Sequence, residues 1–304
     1  VDVRQLRALT AVGDHRSFSA AAKALGTVQS NVSTHVSRLE RELGLVLVDR
    51  ATNELTAEGL AVVARARRID AELQALESDV ASLKDVVTGS VRIGVIGTVA
   101  RWLVPPLVEE VHEAAPEVHL TILDATTSSL ILQLVNGQVD LAVVNTPVED
   151  PEVRVTALFD EDCMVVAPLG HPLSGRAEVT PDDVAAHDLL LPARGTAFRA
   201  ELDADAAAAG IELRAKAEID GMRLLASLAF SGFGAAILPA SAAPEWLGGD
   251  WQRIVLHGFR QRSVGLARRR RGLPSAAERA VTTTVGEVIE RVAPSQPGIR
   301  VRGR

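Results

Sequence analysis

Residues 18–44 read FSAAAKALGTVQSNVSTHVSRLERELG, and this stretch decides the fold of the N-terminal region. Ser19 opens an alanine-rich run, Ala20-Ala21-Ala22-Lys23-Ala24-Leu25, short enough for one small helix capped by a hydroxyl. Gly26-Thr27-Val28 breaks it. From Gln29 the apolar residues Val32, Val36, Leu39 and Leu43 follow at intervals of four, three and four, which predicts a helix with one buried face. Its opposite face carries Ser30, Thr34, Ser37, Arg38 and Arg41, flanked by Gln29, Ser33 and His35. Small hydroxyls with an amide, an imidazole and guanidinium groups suit a helix lying in the major groove of DNA. There they can bond base edges and phosphates without obstruction. The solvated face of an ordinary αα-hairpin would favour Glu and Lys, yet this helix has no acid before Glu40. The pattern points to DNA.

The 304 residues suffice for two or three domains, and a hydrophobic content of 47% is that of a globular chain. Arg101 and Pro105-Pro106 interrupt the best apolar run, so no membrane span is expected. Arg4, Arg7 and Asp14 break up any signal-peptide layout, and a cytoplasmic protein is expected. The single cysteine, Cys163, excludes an internal disulfide and a cysteine-rich zinc site; its apolar surroundings predict inert core packing. Net charge is −7, unevenly placed: residues 1–68 hold 10 Lys/Arg against 7 Asp/Glu, the remainder 22 against 32. Phosphate binding depends on the local charge, so a modestly basic head on an acidic body is compatible with DNA.

Around the hairpin, residues 2–15 read as a helix lined by Leu6, Leu9 and Val12. Leu45–Val48 reads as a short extended segment leading to a turn near Asn53, the layout of a wing. From Thr56 to Val87 the residues Val62, Ala66, Ile69, Leu73, Leu76, Val80, Leu83 and Val87 hold a 3.5-residue period. Such a helix, about 48 Å long at 1.5 Å per residue, buries its stripe best against a copy of itself. Packing on its own domain is the alternative. Val86-Val87-Thr88-Gly89-Ser90 ends it as a hinge.

Beyond residue 90 strands and helices alternate. Strands are predicted at Val91–Ile96, His119–Asp124, Asp140–Asn145, Val153–Phe159, Cys163–Ala167, Leu189–Leu191 and Ala235–Leu238. Helices are predicted at Arg101–Ala115, with the proline pair near its first turns, and at Ser129–Asn136, Phe198–Ala209, Met222–Phe230 and Ala276–Val292. The alternation predicts parallel sheets covered on both faces. The tail from Pro294 to Arg304 is rich in Pro, Gly and Arg and is expected to be disordered.

In this order the pieces resemble the LysR-type transcriptional regulators over essentially the whole chain. The resemblance is carried by the Leu6–Val12 helix, Ser17-Phe18-Ser19-Ala20-Ala21-Ala22, Gln29-Ser30-Asn31-Val32-Ser33, Leu39-Glu40-Arg41-Glu42-Leu43-Gly44, Leu55-Thr56-Ala57-Glu58-Gly59 and the α/β body. It implies an all-α winged helix-turn-helix (1–57), a linker and dimerisation helix with its hinge (58–89), and a regulatory domain (90–304). The last would comprise two α/β subdomains of periplasmic-binding-protein-like type, I at 90–163 and 265–293 and II at 164–264, with the tail at 294–304. Partners so implied are inverted-repeat double-stranded DNA, a second copy in a homodimer or homotetramer, RNA polymerase and a small metabolite. On DNA the resemblance and the helix face together assign Ser19, Gln29, Ser30, Asn31, Ser33, Thr34, His35, Ser37, Arg38, Arg50 and Asn53.

Two departures stand out. Only Ala51-Thr52-Asn53-Glu54 separate Arg50 from Leu55-Thr56, a shorter wing than the family's. Glu54 would repel phosphate, so little beyond Arg50 and Asn53 is expected of it. Val28 replaces the family's usual Thr before the recognition Gln, which passes the helix cap to Thr27.

By position in the family pattern, Thr98, Val99 and Ala100 would line an effector cleft together with Thr126, Thr127 and Ser128. From the facing subdomain Gly195, Thr196, Phe198, Gly221 and Met222 would join them. Hydroxyls and helix starts favour a carboxylate or similar anion, with Arg194 or Arg199 as charge partner. The same Ser and Thr residues also serve as ordinary helix caps. No metal or other cofactor is called for: the seven His are dispersed, and Asp160-Glu161-Asp162 reads as a solvated turn. One alternative comes from Gly94-Val95-Ile96-Gly97 after a strand: an NAD-dependent α/β oxidoreductase with an N-terminal dimerisation region. The third glycine of that fingerprint is missing, and Asp124 follows too late.

Overall fold

The computed structural model describes residues 1–83 and 86–302; positions 84–85 of the expected linker and hinge, and 303–304 of the expected tail, lie outside them. Three helices build the N-terminal head: α1 (Val3–His15), α2 (Phe18–Ala24) and α3 (Gln29–Leu43). A capping box starts α1, with the Gln5 amide N–H donating to Asp2 and the Asp2 N–H to Gln5. The cap of α2 is Ser17 and not Ser19, which lies exposed in the first turn. Nor does Thr27 cap α3. Val28 holds the cap position without a side-chain bond, and the Thr27 hydroxyl instead accepts from the Asn31 amide at 3.0 Å. Val32, Val36 and Leu39 are buried with Leu9, Val12 and Ala21, as the period predicts. Leu43 ends the helix largely exposed. The wing is reduced to a single bridge between Val48 and Leu55, with Asn53 in the left-handed region at its turn.

Thr56 caps α4 (Ala57–Ser82), which at 26 residues spans about 39 Å, shorter than expected because its end falls before Val87. Gly89 and Ser90, placed in the hinge by sequence, open the first strand, β1 (Gly89–Val95). Val62 and Ala66 pack onto the head, whereas Ile69, Leu76, Val80 and Leu83 are exposed and Leu73 is half-buried.

The body contains two six-stranded sheets. Its elements run β1 (Gly89–Val95), α5 (Gly97–Ala114), β2 (Val118–Asp124), α6 (Thr127–Val135), β3 (Leu141–Thr146), β4 (Val153–Glu161), β5 (Cys163–Pro168) and β6 (Glu178–Val179). Then follow α7 (Pro181–Ala185), β7 (Asp188–Pro192), α8 (Ala197–Ala208), β8 (Arg214–Ile219), α9 (Met222–Phe230), β9 (Ala236–Pro239) and β10 (Trp251–Leu256). The chain finishes with β11 (Arg262–Arg269), α10 (Ala276–Val292) and β12 (Ile299–Val301). The first sheet has the order β12-β4-β11-β3-β1-β2 and the second β6-β10-β5-β9-β7-β8. Neither is all-parallel. β1 runs parallel to β2 and β3, and β7 to β8 and β9, as the alternation predicts. The chain crosses between sheets twice, from β4 to β5 and from β10 to β11. Around those crossings β4, β5, β10 and β11 pair antiparallel.

Three further expectations fail. Helix α5 starts at Gly97, not Arg101, so Pro105-Pro106 sit in its middle. The tail is not disordered where described: β12 pairs with β4, and Arg300 and Arg302 bond Asp162 and Asp160, each at 2.7 Å. The acid cluster is therefore no solvated turn. Glu161 is fully buried, accepts from the Ser241 N–H at 2.9 Å and lies 3.6 Å from Arg262; burial pushes its carboxyl above the usual range. Cys163 is buried in β5. No helix among the described residues is long and apolar enough to cross a membrane.

Candidate DNA interface and effector cleft

On α3 the structure exposes Gln29, Ser30, Asn31, Thr34, Arg38 and Arg41, and leaves Ser33, His35 and Ser37 half-buried. Both acids of this helix are engaged by other groups of the head. Glu40 accepts from the amides of Leu47 and Val48 and pairs with Arg50 at 2.8 Å; Glu42 takes the Gln5 amide and the N-terminal ammonium. Thr34 spends its hydroxyl proton on the Ser30 carbonyl, while Arg38 has no acid partner among the described residues. What remains outside is a face of hydroxyls, an amide and cations.

Arg50 is less available than sequence suggests. Its guanidinium lies 4.7 Å from the Phe18 ring centroid and bonds Glu40 and the Ser37 hydroxyl, bracing the wing against α2 and α3. Asn53 is half-buried at the wing turn, and Glu54, expected to repel phosphate, is paired with Arg16 at 3.1 Å.

In the body, Thr98 is almost fully buried at the start of α5 and Ala100 half-buried; Val99 belongs to the core and is sealed from solvent. Thr126 caps α6 and touches the Ser128 hydroxyl at 3.3 Å, and the Thr127 hydroxyl accepts from the Asn145 N–H at 3.1 Å. On the second sheet Gly195 is exposed at φ +88, and Thr196 caps α8 and donates to the Ala193 carbonyl. Phe198 is core, under the guanidinium of Arg262 at 4.5 Å. Gly221 precedes α9, and Met222 packs against both cores, at the junction of the two sheets.

The arginines expected to hold an anion are already engaged. Arg199 is buried on Asp203 (2.8 Å), Glu218 (3.1 Å) and the Pro192 carbonyl, and Arg194 lies on Glu218 at 3.2 Å. Sequence reasoning missed Arg223, which reaches from α9 to Asp124 at the end of β2, 2.6 Å away. A signal existed. A cation in the first turn of a helix opposes the helix dipole, so Arg223 calls for an acid from elsewhere.

The oxidoreductase alternative loses its footing. Gly94 lies within β1, where a Cβ would collide with the Leu130 side chain, so this glycine serves helix–sheet packing and no phosphate turn. Among the described residues no group of three or more His, Cys, Asp or Glu could hold a metal ion.

Comparison with known proteins gives a consistent answer. The model of the bacterial regulatory helix-turn-helix protein, lysR family, matches residues 3–60, and that of the LysR substrate binding domain matches 84–290. A probable hydrogen peroxide-inducible genes activator of Mycobacterium leprae is 32% identical over 296 residues, 93% of either chain. A full-length OxyR variant from Pseudomonas aeruginosa, carrying one cysteine substitution, superposes with a TM-score of 0.75 at 22% identity, covering 100% of this chain and 99% of that one. CbnR complexed with its target DNA gives 0.69 at 23% identity, covering 96% and 100%. A head, a long helix and a two-sheet body in this order, matched by both models, mean that the chain belongs to the LysR family of transcriptional regulators.

Proposed function

We propose that this regulator binds an inverted-repeat operator as a homodimer or homotetramer and responds to a small anionic metabolite bound between its two sheets. DNA contact is assigned to Gln29, Ser30, Ser33, Thr34 and Arg38, with Ser19, Asn31, His35, Ser37 and Asn53 beside them. The observation that carries this reading is the α3 face, whose two acids are engaged by other groups of the head while Arg38 stands unpaired among the described residues. The exposed stripe Ile69, Leu76, Val80 and Leu83 supports pairing through α4. RNA polymerase is the partner through which such an assembly would act, and the cytoplasm is its place.

The effector acts by binding and not by thiol oxidation. The chain holds one cysteine, so no disulfide can form within it. Cys163 is buried and burial pushes its thiol up to about 12, far from the thiolate that peroxide chemistry needs.

A mobility shift on the DNA upstream of the protein's own gene tests the DNA half. Arg38→Ala should weaken binding about five- to tenfold for each subunit on the DNA and lower the slope of log affinity against log salt by about 0.9 per subunit, one phosphate contact apiece. Unchanged affinity and slope would remove Arg38 from the interface.

A further inference from the structure

Asp124 ends β2 on the first sheet; Arg223 opens α9, which packs on β5, β7 and β9 of the second and also touches α5, the helix that starts at Gly97. Their ion pair at 2.6 Å therefore ties one sheet to the other. The pair closes over Gly97. A Cβ at that residue would lie 2.9 Å from Asp124 Oδ1 and 3.4 Å from Arg223 Cδ, so a side chain there would push the carboxylate away. Arg194 and Arg199 find Glu218 and Asp203 on their own side, whereas Arg223 takes its partner from the other sheet.

We propose, resting on the reading of this cleft as an anion site, that Asp124–Arg223 is an exchangeable latch. Asp124 occupies Arg223 in the absence of effector, and a carboxylate of the effector takes its place. Like replaces like: a ligand carboxylate offers the guanidinium the same two oxygens. The Arg223 side chain is 66% exposed, and an exposed pair shifts an equilibrium by no more than about fivefold. The latch is thus cheap to open. Asp124 acts as a tethered competitor for its own ligand.

Two measurements on the full chain test this. In the first, Glu117→Cys and Glu212→Cys, both exposed and just before the edge strands β2 and β8, carry spin labels. Buried Cys163 stays unlabelled, and excess unlabelled chain confines the measured distances to single molecules. Asp124→Asn and Arg223→Gln should each lengthen or broaden the distance distribution. The exchange of Asp124→Arg with Arg223→Asp should restore it. Identical distributions in all four chains overturn the latch.

In the second, the wild type and both single variants are titrated calorimetrically with benzoate, succinate and inorganic phosphate. Asp124→Asn should bind the anion about two- to fivefold more tightly than wild type, and Arg223→Gln should lack that gain, binding about two- to fivefold more weakly than Asp124→Asn. An Asp124→Asn chain that binds no tighter than wild type overturns the exchange. If neither chain binds any of the three, the anionic cleft falls together with the exchange, and the label distances still decide the latch alone.

Discussion

The recognition face and the cleft treat their polar groups in opposite ways. On α3 the acids are engaged by other groups of the head, and among the described residues the side chains of Gln29, Ser30 and Arg38 keep no partner. In the body the same kinds of group are consumed internally: Thr126 and Thr196 cap helices, Arg199 sits on Asp203 and Glu218, and Arg223 on Asp124. Water solvates an open convex face, so unpaired hydroxyls there cost nothing. In the body Thr126, Thr196 and Arg223 reach solvent as well, the last with 66% of its side chain exposed, yet each is paired within the chain. On the proposed reading a duplex would meet the head as it stands, while a small ligand would displace Asp124 from Arg223.

This contrast treats the head as a preformed module, and core truncation is the hardest test of that. Leu39 is fully buried among Leu9, Val12 and Val36. Leu39→Ala should cost about 2–5 kcal/mol, enough to melt the head and abolish DNA binding while the body's calorimetric transition stays in place. One transition that shifts as a whole would mean that head and body unfold together, and the contrast would not be one between separate modules.

Internal pairing in the body is incomplete at Glu278. This residue accepts from the Ser275 N–H at the start of α10, and burial, then the charge of Asp140, push its carboxyl up to about 7 despite Arg269. The unfolded chain titrates it near 4.3. Between those values the folded state holds the extra proton. Stability from this group is therefore fully present below about pH 4.3, falls as pH rises, and is lost above about 7. Glu278→Gln keeps an acceptor for Ser275 and removes the charge. It should stabilise the protein by about 1–2 kcal/mol at pH 8 and by nothing near pH 4, measured as urea midpoints across that range. An equal gain at both ends would assign the effect to packing.

What could be read from sequence follows the same division. The α3 face was legible because a helix's period and its side-chain chemistry are local, and α9 and α10 fall at their predicted bounds for that reason. The Thr27 cap failed by one residue, since which oxygen reaches a first-turn amide depends on backbone angles. Pairings over long separations were not legible. β12 finds β4 some 140 residues back, turning an Arg-rich tail into a strand that neutralises Asp160 and Asp162. Arg223 finds Asp124 about 100 residues away. Local composition names neither partner.

Arg38 and Arg50 bring the comparison inside the head itself. Sequence assigns both to DNA, but the structure leaves the first unpaired among the described residues and spends the second on Glu40, Ser37 and the Phe18 ring. Arg50→Ala should therefore lower the head's stability by about 0.5–1 kcal/mol through the lost pair and ring contact. It should leave the salt slope of DNA binding unchanged, the reverse of Arg38→Ala. Urea melts and salt-dependent mobility shifts on the same two variants separate the outcomes. If Arg50→Ala lowers the slope by about 0.9 per subunit as well, then Arg50 leaves Glu40 to take a phosphate. The head too would trade an internal partner for its ligand, and the division between an open face and a self-occupied cleft would be one of degree.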